Sequence, residues 1–417
     1  MHIALDLHDT GRTGGLERVV AGLAVEMVHR GHRVTAFTHS PVGTVPRFAL
    51  PKELNLRFYS FTGDASTIPS VQKDIVACNP DVFISPSSFN NVLLWCGVLR
   101  GTGIPLLYSE HNNPWRIEEE RWNREERQAV LWAADAVHLL LPSYMDSVPA
   151  PLQAKCCAIG NPVPWPAVLP PRTTHAPCLL SLGRFARVKQ IPLLIQAFSL
   201  LTADFPEWEL HIWGAGEEEG TIRKQIAHAN CRRIHLHALS LNPEQQFAQA
   251  DIFCIPSRFE GFGLTVVEAF GHAVPVVGFA ECSGVNSLVR TGCNGALAQE
   301  MTPESLANSL RLLMQDNNLR QRMGATARQD ALAFSPQAIY DQWEKLLYET
   351  AARKGRTQLG MLDFPHPLPV QEEAWRTHMR RLCARKNLLL RDSQVLRRFI
   401  WKRPRLKAWL KRLLRKA

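Results

Sequence analysis

Two glutamates lie eight residues apart in a glycine-containing stretch of this 417-residue chain. Glu260 precedes a loop that holds Gly261 and Gly263, and Glu268 falls within a helical pattern that begins at Leu264. Glycines before a helix let the backbone approach a ligand closely, and free N–H groups at the helix start favour an anion. A carboxylate on each side of that anion can hold hydroxyl groups. This arrangement matches a nucleotide-sugar, with sugar hydroxyls, a diphosphate and ribose hydroxyls; a surface capping arrangement is the alternative.

A basic stretch follows a predicted strand earlier in the chain. Arg184 and Lys189 lie five residues apart, and Arg187 between them is an alternative cation. When a sugar–phosphate bond breaks, negative charge develops on the leaving diphosphate, and two fixed cations stabilise it. The pair therefore predicts a diphosphate site, with an exposed basic turn as the plainer interpretation.

Other candidate residues carry weaker signals. Gly14 and Gly15 follow the first predicted strand at the start of a helix, which is typical of a phosphate-binding turn or of a tight turn alone. A dinucleotide fingerprint would need another glycine spacing and an acidic residue after the second strand, so an NAD-dependent oxidoreductase is not expected. His235 and His237 alternate on a predicted strand, with His228 and Cys231 nearby. A metal site there is conceivable, but a polar strand face is the favoured interpretation.

Short apolar runs alternate with helical patterns and predict two α/β domains in tandem. The first β-α-β unit implies parallel strands with a right-handed crossover. A proline-rich stretch over residues 161–177 indicates a linker. Strands are expected at residues 3–7, 34–38, 81–85, 105–109, 136–141, 178–182, 209–213, 234–236, 252–255 and 274–277. Helices are expected at residues 16–30, 191–201, 220–229, 264–272, 303–314 and 336–352.

The charge is unevenly distributed along the chain. The whole sequence has a net charge of +10, whereas the part from Arg353 onward alone carries 19 basic and 4 acidic residues. Residues 1–352 are therefore net negative, and specific nucleic-acid binding is not expected. Asp6 and Asp9 interrupt the apolar N-terminus, which favours a buried strand over a secretory signal. Ten scattered cysteines then indicate reduced thiols and a cytoplasmic protein.

These motifs together resemble family 4 of the glycosyltransferases, which have the GT-B fold. The resemblance covers about residues 1–350, and the Glu260-x7-Glu268 motif is its most specific part. It implies two Rossmann-like doubly wound domains that face each other across a cleft. The predicted domain limits are 1–165 for the acceptor domain, 166–335 for the nucleotide-sugar domain and 336–352 for a crossover helix, with a basic tail at 353–417 that lies outside the resemblance.

The resemblance also implies roles for individual residues. Glu260 would contact the donor sugar, Glu268 the ribose, and Arg184 and Lys189 the diphosphate. His111, after a first-domain strand, would reach the donor sugar. Gln190 departs from the pattern, because the family usually has glycine after the lysine. The remaining donor-binding positions implied by the match are Gly14, Gly15, Gly214, Gly216, Gly261, Phe262, Gly263, Leu264 and Thr265.

A retaining glycosyltransferase is the function that this resemblance implies. Because fixed cations are available and no Asp-x-Asp motif occurs, no metal and no other cofactor are expected. Retention by a covalent intermediate and by same-face attack both stay open. The alternatives are a nucleotide-sugar epimerase or phosphorylase of the same fold, or a non-catalytic binding protein. The donor is expected to be UDP-linked, and the acceptor a glycan or a lipid-linked molecule in surface polysaccharide or glycolipid assembly.

The C-terminal tail predicts contact with an anionic membrane. An apolar stripe with helical spacing is surrounded by lysines and arginines, as in helices that lie in a membrane interface. The stripe consists of Leu406, Trp409, Leu410, Leu413 and Leu414. A peripheral position on the inner face of the membrane would follow, with packing on the protein, a partner or nonspecific nucleic-acid binding as alternatives.

Overall fold

The protein is described here from a computed structural model. It describes residues 1–12, 14–59, 68–86, 89–116, 124–171, 176–240 and 242–361. The chain divides into two compact units. Unit 1 comprises Met1–Ser109, Arg121–Val137 and Leu347–Ala417, and unit 2 comprises Glu110–Glu120 and His138–Leu346.

A seven-stranded sheet begins the chain, with strand order β3-β2-β1-β4-β5-β6-β7. Its pairings of β1 with β2 and β4, of β2 with β3 and of β4 with β5 are parallel. The strands are β1 His2–His8, β2 Arg33–Thr38, β3 Asn55–Phe58, β4 Val82–Pro86, β5 Leu106–Glu110, β6 Ala136–Leu139 and β7 Cys156–Ala158. Nearly continuous apolar runs form the central strands, as expected when both faces of a parallel sheet are covered.

Five helices accompany this sheet in the described residues: α1 Gly15–His29, α2 Ile68–Cys78, α3 Phe89–Leu99, α4 Arg124–Ala133 and α5 Ala150–Gln153. The first of them shows why the sequence forms a helix here. Its apolar residues recur at helical spacing and are buried, and Gly31 just after it has φ +83°. Glycine adopts this left-handed conformation without a steric penalty, so the helix ends at His29, one residue before the predicted end.

A six-stranded parallel sheet forms the centre of unit 2, with strand order β10-β9-β8-β11-β12-β13. Its strands are β8 Cys178–Leu182, β9 Glu209–Trp213, β10 Ile234–His237, β11 Ile252–Cys254, β12 Val276–Phe279 and β13 Gly295–Ala298. The helices that follow β8 are α6 Ile191–Ser199, α7 Glu219–Ala229, α8 Pro243–Gln249, α9 Leu264–Gly271, α10 Ser283–Asn286, α11 Pro303–Gln315, α12 Asn317–Ala331, α13 Pro336–Ala351 and α14 Gln358–Met361.

Two doubly wound α/β sheets therefore exist as the sequence predicts, and the chain leaves the first between β7 and β8. The compact units divide the chain differently, because residues 110–120 and 138–165 group with unit 2. Helix α13 belongs to unit 2 up to Leu346 and to unit 1 from Leu347. The domain limit at 165/166 stays a prediction.

The residues that follow α13 are fixed within unit 1 by polar contacts. Arg353 Nη1 donates to the carbonyl of Asp135 at 2.7 Å, and Lys354 Nζ lies 3.0 Å from the Asp81 carboxylate. Gly355 N donates to Gly103 O at 2.8 Å. The part of the predicted tail from 353 to 361 thus packs on unit 1. The amphipathic stripe at 406–414 lies outside the described residues. No helix in the described part of the chain has both the length and the apolar character to cross a membrane.

Candidate active site

The carboxylate of Glu260 binds two side chains through one of its oxygens. Lys189 Nζ lies 2.5 Å from Oε1, and Ser257 Oγ donates to the same atom at 2.5 Å. The lysine side chain is 26% exposed and the glutamate 13%, so the ion pair is largely shielded from water. Such shielding strengthens the attraction between the two charges.

Two loops at the carboxyl ends of neighbouring strands bring this pair together. After β8 the chain makes a 3-10 turn at Arg187–Lys189, and after β11 it runs through Ser257 to Glu260. Arg258 N donates to Val188 O at 2.8 Å, which ties the two loops to each other. Because β8 and β11 are adjacent parallel strands, their loops emerge at the same edge of the sheet.

Helix α9 begins directly after the Glu260 loop. Its N-cap, Gly263, has φ +90°, a left-handed conformation that suits glycine. No side chain caps the first amides of this helix. Their N–H groups, together with the helix dipole, favour an anion at this point. Glu268 lies on the same helix, half-buried, and its carbonyl accepts a hydrogen bond from His272 Nδ1 at 2.8 Å.

The backbone carbonyls of Glu260 and Gly261 accept hydrogen bonds from other side chains of unit 2. Asn113 Nδ2 donates to the carbonyl of Glu260 at 3.1 Å and to Ser283 Oγ at 2.5 Å. The Tyr144 hydroxyl donates to the carbonyls of Glu260 and Gly261, at 3.1 and 2.7 Å. Burial raises the pKa of that hydroxyl, so it stays protonated and continues to donate.

Two glycines in this region are needed because backbone segments approach closely. A side-chain carbon at Gly261 would lie 2.8 Å from the carbonyl oxygen of His111. One at Gly284 would lie 2.6 Å from both Cβ and the carbonyl oxygen of Glu260. The loop of Glu260 is thus packed against neighbours on two sides. A substitution at either glycine would displace it.

Arg184 lies in a different environment. Its guanidinium forms two hydrogen bonds with the Glu217 carboxylate, Nη2–Oε1 at 2.9 Å and Nε–Oε2 at 3.3 Å. The side chains are 71% and 54% exposed. The hydrogen bond from Arg184 holds the pKa of Glu217 below its usual value. Among the described residues, no hydrogen bond or ion pair joins Arg184 to Lys189 or Glu260.

The Gly214–Gly216 loop follows β9 and packs against the loop of Arg184. A side-chain carbon at Gly214 would lie 2.0 Å from Gly183 O, and one at Gly216 would lie 2.4 Å from Phe185 O. Phe185 N donates to Ala215 O at 2.8 Å. These two glycines are therefore required for the contact between the two loops, independently of any bound ligand.

His111 is half-buried near a second histidine of unit 2. Its ring centroid lies 5.6 Å from that of His138, whose own ring is 4.4 Å from Trp343. Burial, with the neighbouring His138, lowers the pKa of His111 to about 3. Burial lowers the pKa of His138 to about 4, and its Nε2–H donates to Ile159 O at 2.7 Å. Both imidazoles are neutral near pH 7.

The structure brings together some of the predicted site residues and separates others. Lys189 and Glu260 form one cluster, and the α9 positions Gly263, Leu264, Thr265 and Glu268 follow it directly. The Phe262 side chain is buried with its ring 5.4 Å from Phe334, so only its backbone is available for a ligand. Gly14 and Gly15 lie in unit 1, where they start α1.

The sequence analysis did not predict four polar residues of this region: Ser257, Asn113, Tyr144 and Ser283. Ser257 and Asn113 each lie within a few residues of a predicted site residue, which was a usable signal. Tyr144 and Ser283 gave none, because their hydrogen bonds, from Tyr144 to the carbonyl of Glu260 and from Asn113 to Ser283, join segments more than a hundred residues apart in the chain.

Two family models match the chain over most of its described length. The model for glycosyltransferase family 4 matches residues 13–144, and the model for glycosyl transferases group 1 matches residues 171–330. The chain belongs to glycosyltransferase family 4. The match with glycosyl transferases group 1 contains Lys189, Glu260 and Glu268, so the cluster lies within that matched region.

Curated relatives agree with this membership of family 4. The chain is 32% identical over 163 residues to poly(glycerol-phosphate) alpha-glucosyltransferase of Bacillus subtilis. It is 26% identical over 167 residues to poly(ribitol-phosphate) alpha-N-acetylglucosaminyltransferase of Staphylococcus aureus. The matched regions cover 39% and 40% of this chain, and 24% and 34% of those relatives. The chain therefore spans well under half of the relatives' length.

Solved structures confirm the GT-B fold of this family 4 member. The structure of Anabaena HepE in complex with UDP-glucose superimposes with a TM-score of 0.67 at 17% sequence identity. The superposition covers 84% of this chain and 100% of that one. At this identity the likeness concerns the fold, two parallel α/β domains of GT-B type.

Proposed function

We propose that this protein transfers a hexosyl group from a UDP-linked sugar to a glycan or lipid-linked acceptor. The reaction would serve surface polysaccharide or glycolipid assembly. The anomeric configuration of the donor is retained. The reaction needs no metal ion. Family membership supports glycosyl transfer as the reaction class, and the remaining statements rest on the site and on the names of the relatives.

The observation that carries the proposal is the Lys189–Ser257–Glu260 cluster directly before the uncapped start of α9. The helix start offers N–H groups to the diphosphate, and Lys189 supplies a positive charge beside it. Glu260, oriented by two donors on Oε1, can accept a hydroxyl of the donor sugar at its other oxygen. Glu268, two turns along the helix, can accept the ribose hydroxyls.

Retention is supported by the relatives' names. The names of both relatives given above specify alpha linkages, and the donor proposed here is an alpha-linked UDP-hexose. An alpha product from an alpha donor keeps the configuration. The UDP-linked donor is supported by the HepE complex with UDP-glucose. Covalent and same-face routes both stay open, and no nucleophile is assigned.

Two positively charged side chains support a reaction without a metal ion. Lys189 and Arg184 can take the role that a divalent cation has in other transferases, which is to stabilise charge on the leaving diphosphate. Activity should therefore survive an excess of chelator. A loss of activity in chelator that magnesium or manganese restores would contradict this.

A panel of nucleotide-sugars tests the donor and the reaction class together. Each donor is incubated with the full chain, and release of nucleoside diphosphate is measured with and without an acceptor glycan. One UDP-sugar is expected to give acceptor-dependent release with an alpha-linked product. Interconversion of sugars without diphosphate release would indicate an epimerase, phosphate-dependent cleavage a phosphorylase, and tight binding without turnover a binding protein.

The basic tail supports a membrane-bound acceptor, on sequence grounds alone. Its apolar stripe and surrounding cations suit an anionic lipid surface, where each cation contributes on the order of 1 kcal/mol. Deleting residues 391–417 should leave activity on a water-soluble acceptor analogue unchanged and abolish sedimentation with phosphatidylserine vesicles. Unchanged vesicle binding after the deletion, or no binding by the full chain at low salt, would contradict a membrane role.

A further inference from the structure

The outer strands of the second sheet carry a group of histidines and a carboxylate that the proposed reaction does not use. Strands β9 and β10 are parallel neighbours, and His211 pairs in register with His235. Along β9 the odd-numbered residues Glu209, His211 and Trp213 are half-buried, while Leu210 and Ile212 between them are buried. The polar residues of the two strands therefore share one face at the edge of the sheet.

Three of these side chains converge on a small volume. His211 Nε2 lies 3.1 Å from Glu209 Oε2, and His235 Nε2 lies 3.5 Å from the same oxygen. The three ligand atoms all lie within 4.8 Å of one another. In a tetrahedral zinc site with bonds of about 2.0–2.1 Å, neighbouring ligand atoms are about 3.3 Å apart. Two of the three separations thus match that geometry.

His235 gives a second, independent indication. Its Nε2 is buried and makes no hydrogen bond with any of the described residues. A buried polar atom without a hydrogen bond costs free energy, and a bound cation is one way to satisfy it. It lies 3.5 Å from the same Glu209 oxygen that His211 contacts.

The other nitrogen of His211 also has a partner. His211 Nδ1 lies 3.1 Å from His237 Nε2, and the His237 ring stacks on Trp213 with centroids 4.1 Å apart. In metal sites, the second nitrogen of a ligating imidazole usually donates to a hydrogen-bond acceptor, which fixes the ring orientation, and a neutral His237 can accept here. His237 would be the positioning residue for His211.

We propose that Glu209, His211 and His235 bind a divalent zinc ion at the edge of unit 2. Two imidazole nitrogens and one carboxylate oxygen form a ligand set that suits zinc, with water completing the tetrahedron. The ion links β10, the edge strand, to β9 and thereby stabilises the unit. This site is separate from the Lys189–Glu260 cluster and takes no part in the transfer reaction.

Zinc binding by the full chain tests the proposal. After treatment with chelator and its removal, the protein is titrated with zinc in a calorimeter. The wild type is expected to bind one ion at this site, and Glu209→Gln, His211→Gln and His235→Gln each weaken it by at least about tenfold. Zinc should raise the melting temperature of the wild type but not of the three variants. His228→Gln, an exposed histidine on α7, is the matched control and should behave as the wild type.

Cobalt distinguishes this site from sites that use the chain's cysteines. Cobalt bound by thiolate gives strong near-ultraviolet charge-transfer bands, whereas imidazole and carboxylate ligands give only weak visible bands. We expect the weak visible bands in the wild type and their loss in His211→Gln. Zinc affinity that is equal in the wild type and all three variants, or the absence of any zinc-dependent stabilisation, would overturn the proposal. The glutamine variants keep side chains of similar size on a half-exposed face, so they should fold.

Discussion

The two cations of the predicted diphosphate motif each pair with a carboxylate in unit 2, yet their surroundings differ. Lys189 and Glu260 are 26% and 13% exposed, and Ser257 binds the same carboxylate. Arg184 and Glu217 are 71% and 54% exposed, and their side chains bond to each other. Spacing in the sequence treats Arg184 and Lys189 as equivalent, whereas the fold holds only one of them in a shielded, multiply bonded position.

The difference indicates how each cation would meet a diphosphate. Lys189 is already oriented, because its partner Glu260 is itself fixed by Ser257 and by the contacts of its backbone. An exposed pair such as Arg184–Glu217 contributes little to stability and exchanges readily with water and ions. Arg184 is therefore free to leave Glu217 for a bound phosphate, while Lys189 needs little movement.

The largest expected effect is on turnover. Lys189→Ala removes a fixed charge beside the leaving diphosphate, and loss of one such contact typically costs ~3 kcal/mol, or roughly a hundredfold or more in rate. Arg184→Ala should also lower turnover strongly. The two variants should differ in stability, because only Lys189→Ala leaves a shielded carboxylate without its cation. Diphosphate release and urea unfolding measure the two quantities.

Glu217→Gln is the matched control for the exposed pair. It frees Arg184 without removing its charge, so turnover should stay near that of the wild type or donor affinity should rise. If Arg184→Ala and Lys189→Ala both keep near-native turnover with a soluble fold, the diphosphate assignment is wrong. If Glu217→Gln lowers turnover as much as Arg184→Ala, the ion pair itself is needed for activity. The proposed difference between the exposed and the shielded pair would then be wrong.

A second expected effect separates the two glutamates of the motif. Glu260→Gln keeps the shape but weakens the contact with the donor sugar, so turnover should fall by about 30-fold to 100-fold. Glu268→Gln should chiefly raise the KM for the donor, because the ribose is remote from the reacting carbon. Steady-state kinetics with varied donor concentration resolve these outcomes. An equal loss of turnover with unchanged donor KM in Glu268→Gln would contradict its ribose role.

Much of the fold could be predicted because the periodic signals are strong. Strands β8 and β9 have the predicted limits, and α1 begins and ends one residue before the prediction. Strand β12 was predicted two residues too early: it starts only at Val276, after Ala273 with φ +57°. An apolar run gave no sign of that turn.

The candidate site was predictable only where its chemistry is local in sequence. Glu260 and Lys189 could be found from their motifs, and the structure joins them through a 2.5 Å contact. The supports could not be found, because Tyr144 and Asn113 reach the carbonyl of Glu260 from segments more than a hundred residues away in the chain. The environment of Arg184 could not be foreseen either, since spacing carries no information about exposure.

His138 extends the comparison to a buried ionisable group whose pKa is set mainly by burial. His138 is fully buried, and burial lowers its pKa from 6.5 to about 4. The unfolded state therefore binds more protons between these values, so stability is complete above pH 6.5 and is lost as the pH falls. Between pH 7 and pH 5, His138 alone should reduce the free energy of unfolding by roughly 2 kcal/mol. Urea unfolding at several pH values measures it.

His138→Gln is the control for this pH dependence. Its amide can still donate to the Ile159 carbonyl but does not titrate, so the decrease attributed to His138 should disappear while that from other groups persists. An identical pH dependence in wild type and variant would contradict the low pKa. The same reasoning applies to His111, whose pKa of about 3 keeps it neutral, so activity should show no ionisation of His111 near pH 6.5.

The smallest expected effect concerns Gln190, which follows Lys189 and occupies the place where the family usually has glycine. Its backbone is left-handed, with φ +47°, and its Oε1 is buried without a hydrogen bond to any described residue. A left-handed residue other than glycine costs roughly 1–2 kcal/mol, partly offset by the greater chain entropy of glycine when unfolded. Gln190→Gly should therefore raise the free energy of unfolding by about 0.5–1 kcal/mol.

Asn230, at the end of α7, has the same φ of +47° and is the matched control. Because asparagine tolerates this conformation better than glutamine, Asn230→Gly should gain less. A loss of stability in Gln190→Gly alongside a gain in Asn230→Gly would show that the glutamine side chain holds the Lys189 turn in place.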